Sequence, residues 1–146
     1  MPPTSVSPVR VLLVEDDADH AELVRRGLAG QGDRVELTVC ADAEAALETL
    51  RLAGAGTAPH LVLLDLRLPG MSGLQLLREL KSFPRLASVP CVVLTTSEAE
   101  GDVARARELA ASRYLVKPAD EQGLDALLAE VEGYWAGRSR GGAAAG

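Results

Sequence analysis

Five short apolar runs punctuate the chain: Val9 to Val14, Arg34 to Cys40, His60 to Leu64, Pro90 to Thr95 and Arg113 to Val116. Three of them contain the stretches VLLV, LVLL and CVVL, which have no polar alternation. That pattern belongs to strands buried on both faces, as in a parallel sheet. Between the runs, apolar residues recur with the helical period. Ala43, Ala46, Leu47 and Leu50 form one stripe; Leu76, Leu80 and Phe83, flanked by Leu74 and Leu77, form another. Leu124, Leu127, Leu128, Val131 and Trp135 form the cleanest. From Ala99 to Ala110 the stripe thins to Val103, Ala106 and Ala110, which predicts a helix held less firmly, as a switching element requires. Ser72 to Gln75 and Ser97 to Glu100 both match the capping box, in which hydroxyl and N3 side chain satisfy each other's free amides.

Strand and helix alternate five times. Right-handed crossovers then give an open, doubly wound α/β sheet with helices on both faces. The body spans residues 9–136 as one domain; residues 1–8 are Pro/Ser-rich and expected to be disordered, and residues 137–146 read as a flexible tail.

Composition narrows the picture. Aromatics make up only 3% of the chain, so the core must be Leu, Val and Ala. A net charge of -6 argues against nucleic acid, whose backbone needs clustered cations. The basic cluster from Arg138 to Arg140 reads as a solvated end. Cys40 and Cys91 lie in apolar runs without metal-like spacing, so they read as small buried hydrophobes of a protein in the reducing cytoplasm. No apolar run approaches the ~20 residues of a membrane span, and MPPTSVSPVR lacks a signal core.

In doubly wound sheets, ligands bind at the carboxyl ends of the strands. Glu15, Asp16 and Asp17 follow the first strand, Asp65 the third, Thr95 and Thr96 the fourth, and Lys117-Pro118 the fifth. Glu15, Asp16 and Asp65 should therefore converge. At ~4 Å and an effective dielectric near 20, each carboxylate pair repels by about 4 kcal/mol, so shared protons or a cation are needed. All-oxygen ligands with no His or Cys suit magnesium better than a transition metal. Lys117 could meet a phosphoryl oxygen as a point charge, and Thr95 could offer a hydroxyl. A carboxylate nucleophile, a metal, a cation and a hydroxyl together suit phosphoryl transfer onto Asp65. Each feature alone has a plainer reading. Asp17 reads best as a helix cap, Asp65 could cap a turn, Lys117 could be a surface lysine and Tyr114 could be packing. The combination at matched strand ends is what argues for a site.

At this point VLLVEDD (Val11 to Asp17), LVLLDLRLPGMSG (Leu61 to Gly73), VVLTTS (Val92 to Ser97) and YLVKP (Tyr114 to Pro118) resemble the receiver domain of two-component response regulators. The resemblance spans roughly Val9 to Ala136. It implies the flavodoxin-like (βα)5 receiver fold with strand order 2-1-3-4-5. It also implies a phosphoacceptor role for Asp65 and Mg2+ ligation by Asp16 and Asp65, by Glu15 through water, and by the backbone carbonyl of Arg67. Thr95 and Lys117 would contact the phosphoryl group, Tyr114 would be the aromatic switch, and Lys117-Pro118 would be a cis peptide. Such a module catalyses only its own phosphorylation and dephosphorylation, with a sensor histidine kinase as partner.

TTSEAEGDV (95–103) and EGYW (132–135), with no output domain in the sequence, are similar to the small regulators paired with bacterial phytochrome kinases. These often dimerise through the face of the fourth helix, fifth strand and fifth helix. There are departures from the family pattern. Arg67 stands where many members have Asn, and its side chain could reach the phosphoryl group or a neighbouring acid. Ser97 stands where some carry Glu or another polar group, and both positions tend to tune phosphoryl lifetime. Ala110-Ala111 replaces the usual Gly-Ala, which reads as a minor change. Two competing functions are a haloacid-dehalogenase-type phosphatase, which wants an acid where Arg67 stands, and an interaction module of the same fold that works without phosphorylation.

Overall fold

The computed structural model describes residues 8–29, 35–54, 56–118 and 120–131. The Pro/Ser-rich start up to residue 7, Arg34, Trp135 and the 137–146 tail lie outside the described residues.

Five strands, β1 (Val9–Val14), β2 (Val35–Cys40), β3 (Leu61–Leu64), β4 (Cys91–Thr95) and β5 (Arg113–Val116), alternate with α1 (Ala18–Ala29), α2 (Ala43–Leu52), α3 (Gly73–Ser82), α4 (Glu100–Glu108) and α5 (Glu121–Val131). All neighbouring strands pair in parallel, in the order β2-β1-β3-β4-β5. The three runs without polar alternation are the central strands: every residue of β3 and β4 is buried, as are all of β1 but Arg10. The edge strands β2 and β5 mix buried and accessible positions.

Because strand side chains alternate in direction, each central strand feeds two cores. Leu12, Val14, Val62, Leu64 and Val93 pack with Ala46 and Leu50 of α2, Leu76 and Leu80 of α3, and Ala106 of α4. Val11, Leu13, Leu61, Leu63 and Leu94 pack on the other face with Val24 and Leu28 of α1 and Leu124 and Leu128 of α5. Cys40 and Cys91 are buried and free, and burial pushes the Cys91 thiol up to about 12. Both behave as small apolar residues.

The helix termini show where local pattern holds and where it yields. Ser72 caps α3, accepting the Gln75 amide at 3.1 Å, as its motif predicts. Phe83, placed in the α3 stripe by its spacing, is the C-cap. Asp17 caps α1, its Oδ1 accepting the amides of Asp19 (2.9 Å) and His20 (3.2 Å). The capping box expected at Ser97 does not form. The N-cap of α4 is Ala99, without a side-chain bond; the buried Ser97 hydroxyl bonds Asp102 and Arg67 instead. α4 buries only Ala106, in keeping with a loosely held helix.

Two backbone details depart from expectation. Lys117-Pro118 is trans, as no cis bond occurs among the described residues. Trans is the isomer an X-Pro bond prefers by about 0.5–1 kcal/mol unless its surroundings favour cis. Ala110 is not part of the α4 stripe: it lies past the helix end at φ 64°, in the left-handed region. The Gly-to-Ala departure is thus not minor, because a side chain there carries the steric cost that glycine avoids.

Ala110→Gly should raise unfolding stability by about 1 kcal/mol, the left-handed penalty less the added entropy of the unfolded chain. Urea denaturation checks this, and an unchanged or lowered midpoint contradicts it.

Candidate functional site

The sheet delivers the polar residues to one rim by extending its own ladder. One residue beyond β1, the Glu15 amide donates to the Cys40 carbonyl at 2.9 Å. One residue beyond β3, the Asp65 amide donates to Val14 at 3.1 Å, and the Lys117 amide, beyond β5, donates to Thr95 at 2.8 Å. Their side chains are held by strand pairing rather than by loops. A close approach from α3 completes the floor: a Cβ on Gly73 would lie 2.3 Å from the Asp65 carbonyl oxygen, so that contact admits only glycine.

Glu15, Asp65 and Thr95 are buried, and Asp16 is exposed at the open edge. Asp65 Oδ1 accepts from the Thr95 hydroxyl at 2.8 Å and from the Arg67 amide at 2.9 Å. Asp65 Oδ2 accepts from Lys117 Nζ at 2.9 Å, and the same ammonium reaches Glu15 Oε1 at 2.5 Å. The side chain of Lys117 is only 7% exposed, so this is a desolvated ion triad and not a surface pair. Burial raises the Glu15 pKa, Lys117 opposes that rise and the Asp65 charge adds to it. For Lys117, burial favours the neutral amine, but the bonds and charges of Glu15 and Asp65 outweigh it and hold the ammonium above its ordinary pKa.

Glu15, Asp16 and Asp65 each offer an oxygen, all within 4.8 Å of one another. Ligands around an octahedral ion at about 2.1 Å lie roughly 3–4 Å apart, so the set fits Mg2+ with slight closure, and the exposed Asp16 side leaves room for water.

Two neighbours were not legible in the sequence. His20, in the first turn of α1, brings Nδ1 to 3.1 Å from Lys117 Nζ. Its position three residues after the Asp17 cap was the one available hint. Asp102 of α4 had no signal; it receives the Ser97 hydroxyl at 2.5 Å and lies 3.6 Å from Arg67 Nη2. Arg67 Nη2 also donates to Ser97 Oγ at 3.2 Å, so its guanidinium reaches a neighbouring acid, one of the two alternatives its position allowed. The Ser97 amide donates to Thr95 Oγ1 at 3.3 Å, and its carbonyl accepts the Tyr114 hydroxyl at 2.8 Å. Ser97 therefore ties the rim to α4 and β5.

Two outcomes follow. Lys117→Met leaves two buried carboxylates opposed and should cost about 3 kcal/mol at neutral pH. Glu15, with its pKa raised, contributes stability when protonated that is lost as pH rises through that pKa; without Lys117 the pKa rises further. The deficit should therefore shrink as pH falls toward the ordinary carboxylate range, as denaturation at several pH values would show. Ser97→Ala should speed amide hydrogen exchange across Glu100–Glu108 by about fivefold, the worth of one net hydrogen bond.

Comparison with known proteins agrees with this architecture. The model of the response regulator receiver domain matches residues 11–129. The probable methanogenesis regulatory protein FilR2 of Methanothrix harundinacea is 39% identical over 135 residues, 91% of this chain and 87% of that protein. Response regulator Rcp1 of Synechocystis is 37% identical over 88% of this chain and 89% of its own. Its Mn2+-bound crystal structure aligns at a TM-score of 0.80, covering 88% of this chain and 94% of that one. The phosphorylated cyanobacterial phytochrome response regulator RcpA aligns at 0.82 with 32% identity, over 88% and 94% of the two chains. Matches of this extent show that the chain belongs to the response regulator receiver domain family, with a phytochrome regulator among its relatives.

Proposed function

We propose that the protein is a phosphorylation switch that accepts a phosphoryl group from a sensor histidine kinase onto Asp65. The observation that carries this reading is the arrangement around the Asp65 carboxylate. Thr95 and the Arg67 amide bind one oxygen and Lys117 binds the other, with Glu15 and Asp16 alongside.

In the transfer, a carboxylate oxygen of Asp65 forms a bond to phosphorus. The P–N bond to the kinase histidine breaks, and its electron pair returns to the imidazole nitrogen. Glu15, Asp16, Asp65 and the Arg67 carbonyl would hold Mg2+, which would supply charge neutralisation when bound. Lys117 redirects an N–H from the Asp65 carboxylate to a phosphoryl oxygen, and Thr95 redirects its hydroxyl from Asp65 Oδ1 to another. The Thr95 movement is passed through Ser97 to Tyr114, whose hydroxyl lies on the Ser97 carbonyl. Driving such a pair of states from one side to the other takes about 5.5 kcal/mol of differential contact. The surface that changes is that of α4, β5 and α5, where a partner or a second copy docks. RcpA, a phytochrome response regulator, is among the relatives, and a bacteriophytochrome-type kinase is the donor this reading favours.

A phosphatase reading lacks its general acid: Arg67 occupies that position and its guanidinium binds Ser97 and Asp102. The test is incubation with acetyl phosphate and Mg2+, followed by intact-mass measurement. Wild type should gain one phosphoryl group, and neither Asp65→Asn nor a Mg2+-free sample should. No adduct on wild type would favour an interaction module that works without phosphorylation.

A further inference from the structure

An ammonium has three N–H bonds, and Lys117 has three acceptors around it. Two are Glu15 Oε1 and Asp65 Oδ2; the third is Nδ1 of His20, at 3.1 Å, across 97 positions of sequence. Since an ammonium can only donate, His20 takes this bond with the Nδ1 lone pair. The cap at Asp17 fixes the His20 backbone. The ring lies beside a small cavity of about 60 Å³ lined by Leu23, Leu94, Pro118, Asp120 and Leu124, and the ammonium it meets belongs to a side chain only 7% exposed.

The three acceptors differ in what the proposed reaction does to them. Asp65 Oδ2 loses its charge when the carboxylate becomes an acyl phosphate. Glu15 would be drawn toward the cation that it helps to hold. His20 is a ligand of neither. We infer that His20 is a positioning residue, which keeps Lys117 Nζ at the pocket while its two carboxylate partners are engaged elsewhere. The ammonium then meets the incoming phosphoryl oxygen from a fixed place rather than from a free chain of four methylenes. This rests on the phosphoacceptor reading of Asp65.

The experiment measures the rate of phosphoryl uptake from acetyl phosphate at saturating Mg2+ by intact mass. It uses the wild-type chain, His20→Leu, His20→Asn, and His20→Leu combined with Lys117→Met. The Asn side chain puts a carbonyl oxygen close to where Nδ1 stands; Leu keeps similar bulk without an acceptor. Loss of one charge-assisted hydrogen bond should slow His20→Leu about tenfold, while His20→Asn stays within about threefold of wild type. In the Lys117→Met background, His20→Leu should change nothing further, because the effect runs through the lysine. Should His20→Leu fail to fold, His20→Phe is the second acceptor-free variant. Uptake by His20→Leu at the wild-type rate, His20→Asn as slow as His20→Leu, or equal slowing with and without Lys117 would each overturn the inference alone. A wild type that takes up no phosphoryl group would overturn the phosphoacceptor reading, and this inference with it.

Discussion

Two carboxylates buried side by side are tolerable only because one ammonium stands between them. Lys117 bridges Glu15 and Asp65 at 2.5 and 2.9 Å, in a corner where its own side chain is almost completely shielded from solvent. The rest of the molecule can be seen as the means of bringing these three residues together from positions as far as 102 residues apart. A parallel sheet does this economically. Its strands end on the same rim, and its ladder continues one residue past β1, β3 and β5, so the charged side chains start from rigid backbone.

The parts of this arrangement that could be read from the sequence are those with a one-dimensional signature. VLLV, LVLL and CVVL are buried on both sides, and a charge or hydroxyl closing such a run marks the rim. The order of the strands had no such signature and came from family resemblance. The two edge strands are the ones in which most positions are accessible, so part of the order was latent in VELTVC and RYLV. Two of the misreadings share one cause. At Ser97 and Ala110 a local pattern pointed to helix, and side-chain bonds to Arg67 and Asp102 or the chain reversal after α4 decided otherwise. His20 and Asp102 reach the site from helices whose periodicity reports packing and says nothing of which polar residue faces the rim.

The link from the rim to α4 is made of polar groups. Ser97 is bonded to Thr95, Tyr114, Arg67 and Asp102, while α4 itself buries one alanine. Hydrogen bonds and ion pairs exchange partners at low cost when a new anion appears nearby, whereas a packed apolar seam does not. A helix attached in this way can shift with little cost to the cores, since Ala106 is the one residue it buries there.

The shortness of β3 has a further consequence. Its four residues point alternately into the two cores, and Asp65 follows directly. Deleting one residue from this strand would send its leucines into the wrong helical layer and draw the acid back by about 3.3 Å, one step of the pleat. Core and chemistry therefore share a single reading frame. Sequence drift can exchange one apolar residue for another along β3, but any change in its length is rejected by the core before the site can feel it.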